Sequence, residues 1–326
     1  MKAIVHIGTA KTGSTALQRS LGAVRRTLGR RGCLVLLKSE LKPYFSGDAN
    51  YDWARNRYER CIVSSEWLTG LDEVNNRCGA EAVEKLFHGV DADISIVFYF
   101  RRPITYLRSW YCDRLSRGEV VDPKAYYDNA DWIGFDWYQV ASVYSEYFGK
   151  ENVEARPYEL AVDSCVVKDF FQFAKLGEVP RNRVSALQNQ GLSDAGIHLL
   201  QQIGSQLNAA EVTELRMALQ DLPKGPPVSD LNLFGRERFD QVLEHHQSSL
   251  AKLFAEFVDE EQFSYADWLN HYDSVDSQNE NEFPDVLVEI VRCLIEERKK
   301  SKFLRESRLL SSIAKLEWKL KNMWRS

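Results

Sequence analysis

The sequence predicts an α/β protein: a P-loop-like parallel sheet flanked by helices, followed by a helical C-terminal half and a long C-terminal helix. Three observations carry this prediction. Short, nearly continuous apolar runs recur early in the chain, at 2–8, 33–37, 61–65 and 94–100, as strands buried on both faces of a parallel sheet do. Between them lie stretches with helical spacing, such as Leu17, Leu21, Val24 and Leu28. From about residue 136 onward helical patterns dominate.

The elements follow in order. KAIVHIG is a β-branched run ending at a glycine, and TALQRSLGAVRRTLG after it reads as a helix that Ser14 or Thr15 can cap. CLVLL (33–37) and CIVSS (61–65) are the next strands, 80–90 is a helix, and ISIVFYF (94–100) is a strongly apolar fourth strand. Arg102 to Gly118 reads as a helix with Pro103 in its first turn, where a missing N–H costs little. A short strand at 152–156 and helices at 136–148, 166–176, 193–207, 209–221 and 236–258 complete the body, with a turn-rich break at 222–230. Residues 1–270 thus read as one domain, 271–284 as an acidic linker and 285–326 as an amphipathic basic helix.

Composition narrows the function classes. The 326 residues are 44% hydrophobic and 27% charged, ordinary globular values. A net charge of −5 gives no reason to expect nucleic acid as a partner. The six cysteines contain no C-x-x-C and no zinc spacing, which predicts free thiols, a reducing compartment and no metal site. MKAIVHIG is too short for a signal peptide, and no run approaches the ~18 apolar residues of a membrane span. The expected location is the cytoplasm. The tail differs from the rest: residues 298–326 hold ten Lys/Arg and two Glu, a net of +8, around a stripe of Leu309, Ile313, Leu316, Leu320 and Met323. Such a helix suits peripheral contact with the anionic inner face of the cytoplasmic membrane, or packing on its own domain or a second copy.

Two motifs carry the chemistry. HIGTAKTGST (6–15) has glycines at 8 and 13, spaced as in a triphosphate-binding loop, but its lysine is Lys11, inside the loop. A strand ending at Gly8 and a helix starting near Ser14 place backbone N–H groups at a helix N-terminus, where anions bind. Gly13 permits close approach, Ser14 and Thr15 offer hydroxyls, and Lys11 supplies a mobile positive charge. In a triphosphatase the residue after Gly-Lys holds a metal that offsets the charge of the phosphoryl group. A sulfuryl group carries one negative charge fewer, so a lysine at the leaving oxygen can serve without a metal. In the second motif, RRPITYLRSWY, the strand ending at Phe100 delivers Arg101 and Arg102, and Ser109 follows on the next helix. An arginine fork plus a hydroxyl can grip a second phosphate.

Together these motifs resemble the sulfotransferases that use 3′-phosphoadenosine 5′-phosphosulfate (PAPS), and HIGTAKTGSTALQ is similar to their bacterial carbohydrate-type branch. The resemblance implies that Lys11, Thr12, Gly13, Ser14 and Thr15 bind the 5′-phosphosulfate. It likewise implies that Arg101 and Ser109, eight residues apart, bind the 3′-phosphate, with Arg102 the second candidate. It covers roughly 1–260, more diffusely in 189–203 and 231–254. The R-K-G motif of cytosolic small-molecule sulfotransferases has no counterpart beyond GRER (235–238), and the anchor of Golgi enzymes is absent, which favours a soluble bacterial enzyme.

An acceptor hydroxyl attacking sulfur must lose its proton. Glu66, just past CIVSS, lies where open α/β sheets bind ligands and is the expected base, with Lys11 the other catalytic residue. His6, on the first strand, is the alternative base. The aromatic stretches 126–138 and 67–74 suit either core packing or sugar binding. The expected activity is sulfuryl transfer from PAPS to a carbohydrate hydroxyl of a bacterial polysaccharide, glycolipid or related glycan by in-line displacement. The rivals are a P-loop kinase or nucleotide-triphosphatase, and a non-catalytic scaffold.

Overall fold

The computed structural model describes residues 1–45, 58–70, 72–119, 121–129, 136–163, 165–177, 234–266 and 268, with a few helical positions between 196 and 216. Five strands form one all-parallel sheet in the order β2-β3-β1-β4-β5: β1 Lys2–Ile7, β2 Cys33–Leu37, β3 Arg60–Ser65, β4 Asp93–Phe100 and β5 Val153–Pro157. The predicted parallel α/β architecture is therefore present, and each predicted strand lies within a residue of its expected bounds. The helices predicted at 193–207 and 209–221 lie largely outside the described residues. The turn-rich break, the acidic linker and the basic C-terminal helix lie wholly outside them.

The helices in chain order are α1 Ser14–Gly29, α2 Lys38–Phe45, α3 Glu73–Leu86, α4 Pro103–Ser116, α5 Pro123–Asp128, α6 Trp137–Phe148, α7 Tyr158–Asp163, α8 Val166–Phe173 and α9 Arg236–Phe257. Helices α5 and α7, at six residues each, are too short to show a helical period, and the sequence reading contains neither them nor the eight-residue α2. Helix α3 begins seven residues before the expected start at 80 because Asp72 caps it, accepting the N–H of Asn75 at 2.8 Å.

Both sheet faces are covered. One face buries Val35, Ile62, Val97 and Tyr99 against Leu17, Leu21, Val24 and Leu28 of α1 and Val167, Phe170 and Phe171 of α8. Fully burying a side chain of this kind stabilises by about 1.5–3 kcal/mol. On the other face the ring of Phe100 meets Phe254 at 5.5 Å and Trp268 at 5.9 Å. Under α8 lies a buried polar network. Arg156 donates from Nε and Nη2 to the two oxygens of Asp169, each at 2.8 Å, and also pairs with Glu154. Tyr99 donates its hydroxyl to Asp169 at 2.6 Å.

The chain divides into two compact units. Met1–Tyr106, Asp131–Asn189 and Gln241–His271 contain the sheet; Leu107–Ala130, Gln190–Asp240 and Tyr272–Ser326 form the second. In the second, Tyr111, Tyr126, Tyr127 and Phe234 make an aromatic cluster.

Candidate active site

Sheet topology brings the motifs to one edge. Strand β1 is central, with β3 on one side and β4 on the other, and Ile7 pairs with Ser65 while His6 pairs with both Ser64 and Val97. The segments that leave these strands, Gly8–Gly13, Glu66 and Arg101, therefore emerge side by side at the C-terminal edge. This is where the direction of strand order reverses and ligands bind in open α/β sheets.

The loop after β1 is held from within. Thr9 Oγ1 donates to the carbonyl of Tyr99, Thr12 Oγ1 lies 2.8 Å from both the hydroxyl and the carbonyl of Thr9, and Ser14 Oγ donates to the same carbonyl at 2.9 Å. All three side chains are buried. The Ser14 hydroxyl, expected to offer a donor to an anion, is directed inside the loop in this structure. What Thr12 and Ser14 present at the edge is main chain. The predicted cap is also corrected, since the N-cap is Gly13 and no side chain caps the helix. Intrahelical bonding begins only with Leu17 N–H to Gly13 O at 3.1 Å. The amides of Ser14, Thr15 and Ala16 thus lie at the positive end of the helix dipole.

Backbone strain sits at the crown of this loop. Gly13 has φ +81°, and Lys11 has φ +62°, which costs a side-chain-bearing residue on the order of 1–2 kcal/mol. A Cβ on Gly8 would come within 3.0 Å of Ser14 Oγ and 3.3 Å of Glu66 Cγ, so a larger residue there would have to push these side chains back by a few tenths of an ångström.

Glu66 starts a 3₁₀ turn that Ser65 caps by accepting the Trp67 N–H at 3.1 Å. Its carboxylate lies 3.4 Å from the Thr15 hydroxyl, which donates to Oε1, and 3.6 Å from Lys38 Nζ. The side chain is 28% exposed, reachable from solvent and half fixed. Three elements meet here: α1 through Thr15, the 3₁₀ turn after β3 through Glu66 and α2 through Lys38.

Arg101, not Arg102, turns to the loop. Its Nη1 donates to the Lys11 carbonyl at 3.1 Å, its guanidinium lies 4.8 Å over the Tyr158 ring, and its Nε is 3.8 Å from Glu159. Arg102 is buried and runs the other way, donating to the carbonyl of Trp268 and lying 5.3 Å over that ring. Glu159 fixes this divergence by accepting the Arg102 N–H at 3.1 Å, the Thr105 hydroxyl at 3.0 Å and the Trp268 indole at 3.2 Å. Tyr158 and Glu159 were missed at the sequence level. Their signal was available, because they directly follow a strand and so fall on the same sheet edge. Ser109 is a half-buried residue of α4 in the second unit.

His6 is a core residue. It is fully buried between Tyr99 and Phe170, with Nδ1 2.8 Å from Ser64 Oγ, and burial lowers its pKa to about 3. Nothing at the sheet edge can reach it. The neutral ring sets a pH dependence. Above its unfolded value near 6.5 the ring is neutral in both states, whereas between 6.5 and about 3 only the unfolded chain takes up the proton. Stability should therefore fall with pH by about 1.4 kcal/mol per unit from this group. His246, lowered to about 4 by burial and by His245, acts in the same direction. Urea unfolding from pH 7 to 4 should show a shallower decline for His6→Gln than for the wild type.

Among the aromatics, Tyr126, Tyr127 and Trp137 are buried, as core packing requires, and Trp67 is 42% exposed. Among the described residues no helix is long and apolar enough to cross a membrane.

No protein-family profile matches the chain, and no curated protein matches its sequence. Among solved structures, it is similar to a sulfotransferase from Alicyclobacillus acidocaldarius, at 13% identity and a TM-score of 0.36, over 64% of this chain and 97% of that one. A likeness of that size carries no chemistry over.

Proposed function

We propose that the protein is a bacterial, cytoplasmic sulfotransferase that moves a sulfuryl group from PAPS to a carbohydrate hydroxyl. The observation that carries the reading is the contact between the two sequence motifs: Arg101 Nη1 on the carbonyl of Lys11, 90 residues apart in the chain. Glu159, 3.8 Å from Arg101 Nε, holds the guanidinium at this edge, where its fork can meet a phosphate. Lys11 and the amides of residues 13–15 would hold the phosphosulfate, and Arg101 with Ser109 the 3′-phosphate.

PAPS supplies a sulfuryl group whose bond to the phosphate oxygen breaks as the bond from the acceptor oxygen forms. Glu66 takes the acceptor proton. Thr15 orients the Glu66 carboxylate, and Lys11 offsets the charge that develops on the leaving phosphate oxygen. The excess of Lys and Arg over 298–326 supports a role for the tail at an anionic membrane, where lipid-linked glycans are assembled.

Two measurements test this. Calorimetry in EDTA should show binding of adenosine 3′,5′-bisphosphate, and labelled sulfate should pass from PAPS to a bacterial glycan. Glu66→Gln should keep the bisphosphate affinity and lower kcat about 10²-fold or more. Binding of ATP that requires magnesium, with no binding of the bisphosphate, would sink the reading in favour of a kinase or triphosphatase.

A further inference from the structure

Glu66 has a cationic neighbour from another element. Lys38 is the first residue of α2, directly after β2, and the pairing of Leu37 with Ser64 sets it beside the turn that holds Glu66 and Trp67. Its Nζ lies 3.6 Å from Glu66 Oε2 and 5.0 Å over the Trp67 ring. Trp67 is one of two large apolar side chains exposed among the described residues, the other being Val74 on the first turn of α3. Lys38 itself is 38% exposed.

We propose that Lys38 and Trp67 form the acceptor subsite and select a sugar that carries a carboxylate beside the attacked hydroxyl. An indole offers the apolar face on which the C–H side of a sugar ring can lie. The Lys38–Glu66 distance exceeds the ~2.7–2.9 Å of a close charge-assisted bond, and an ammonium has three donors, so a second anion can approach without displacing Glu66. The stronger reason is charge balance, and it rests on Glu66 being the base as read above. Before reaction the Lys38 and Glu66 charges offset each other. When Glu66 accepts the acceptor's proton it becomes neutral, and the Lys38 charge loses its counterpart. An acceptor carboxylate on Lys38 restores the balance at that moment, so its contact strengthens as the transition state forms. A neutral sugar gains nothing comparable.

The test uses the full chain with adenosine 3′,5′-bisphosphate present. The probes are a glucuronate-containing tetrasaccharide and the same tetrasaccharide with its carboxyls reduced to alcohols, titrated by calorimetry or NMR. The wild type should bind the acidic probe more tightly, and with PAPS in place of the bisphosphate it should sulfate that probe with about tenfold or more higher kcat/KM. Lys38→Met should bring the two affinities within about twofold, Lys38→Arg should keep the preference, and Trp67→Ala should weaken both probes. Equal affinities in the wild type, binding of neither probe, or a preference that survives Lys38→Met would each overturn the proposal. Bisphosphate affinity on the same samples separates the two readings. Acidic preference without bisphosphate binding would remove the donor assignment and leave the subsite standing. Bisphosphate binding without acidic preference would do the reverse.

Discussion

Lys11→Ala should lower kcat for sulfuryl transfer about 10³-fold, with the fold intact. Removing one preorganised donor at a developing oxyanion commonly costs 10²–10³-fold in rate, and a full positive charge belongs at the upper end of that range. The backbone sharpens the test. Lys11 holds φ +62°, a conformation that glycine adopts without cost. Lys11→Gly should therefore unfold at the same or a slightly higher temperature than the wild type while losing as much activity as Lys11→Ala. Strain and charge act on different readouts, so the pair tells a catalytic lysine from a structural one. If the lysine only held the donor, KM for PAPS would rise and kcat would stay. A kcat within threefold of wild type in both variants would refute the role given to Lys11.

Asp169→Ala should destabilise the protein by about 3–5 kcal/mol, because it leaves the buried Arg156 guanidinium without its main counter-charge. Both side chains are at most 4% exposed. Tyr99, whose hydroxyl burial and the neighbouring carboxylate keep protonated, loses its acceptor in the same change. The effect should reach the site. The carbonyl of Tyr99 receives the Thr9 hydroxyl, and Val166 at the start of α8 packs where a Cβ on Gly13 would lie, 3.7 Å away. Urea unfolding should show a lower midpoint at unchanged slope, and bisphosphate affinity should fall in parallel. Replacing both charges with apolar side chains of similar volume, Arg156→Met with Asp169→Leu, should recover most of the stability. If the single and double variants were equally unstable, the pair's charge would not be the cause.

The site was legible in part, for reasons that differ by residue. Lys11 and Glu66 could be placed on the edge because each follows an apolar run that ends in small residues, and a parallel sheet puts all such ends on one side. The inward turn of the Thr9, Thr12 and Ser14 hydroxyls could not be foreseen. A hydroxyl in a polar loop serves backbone or ligand equally well in one dimension, and burial decides between them. The divergence of Arg101 and Arg102 depends on Glu159, contributed by a segment more than fifty residues later. Lys38 is equally invisible. It follows an unremarkable edge strand, and only the order β2-β3-β1 sets it against Glu66.

By itself the sequence determined the parallel α/β architecture, the five strands to within a residue, and the loop whose lysine lies between its two glycines. All of these are written in local pattern: apolar period, strand length and glycine spacing. Only the tertiary structure decided which of two adjacent arginines meets that loop, that His6 belongs to the core, and that Lys38 and Trp67 stand beside Glu66. Each of those depends on burial or on strand order. A residue's neighbours in space are set by the packing of segments far apart in the chain, which no local pattern records.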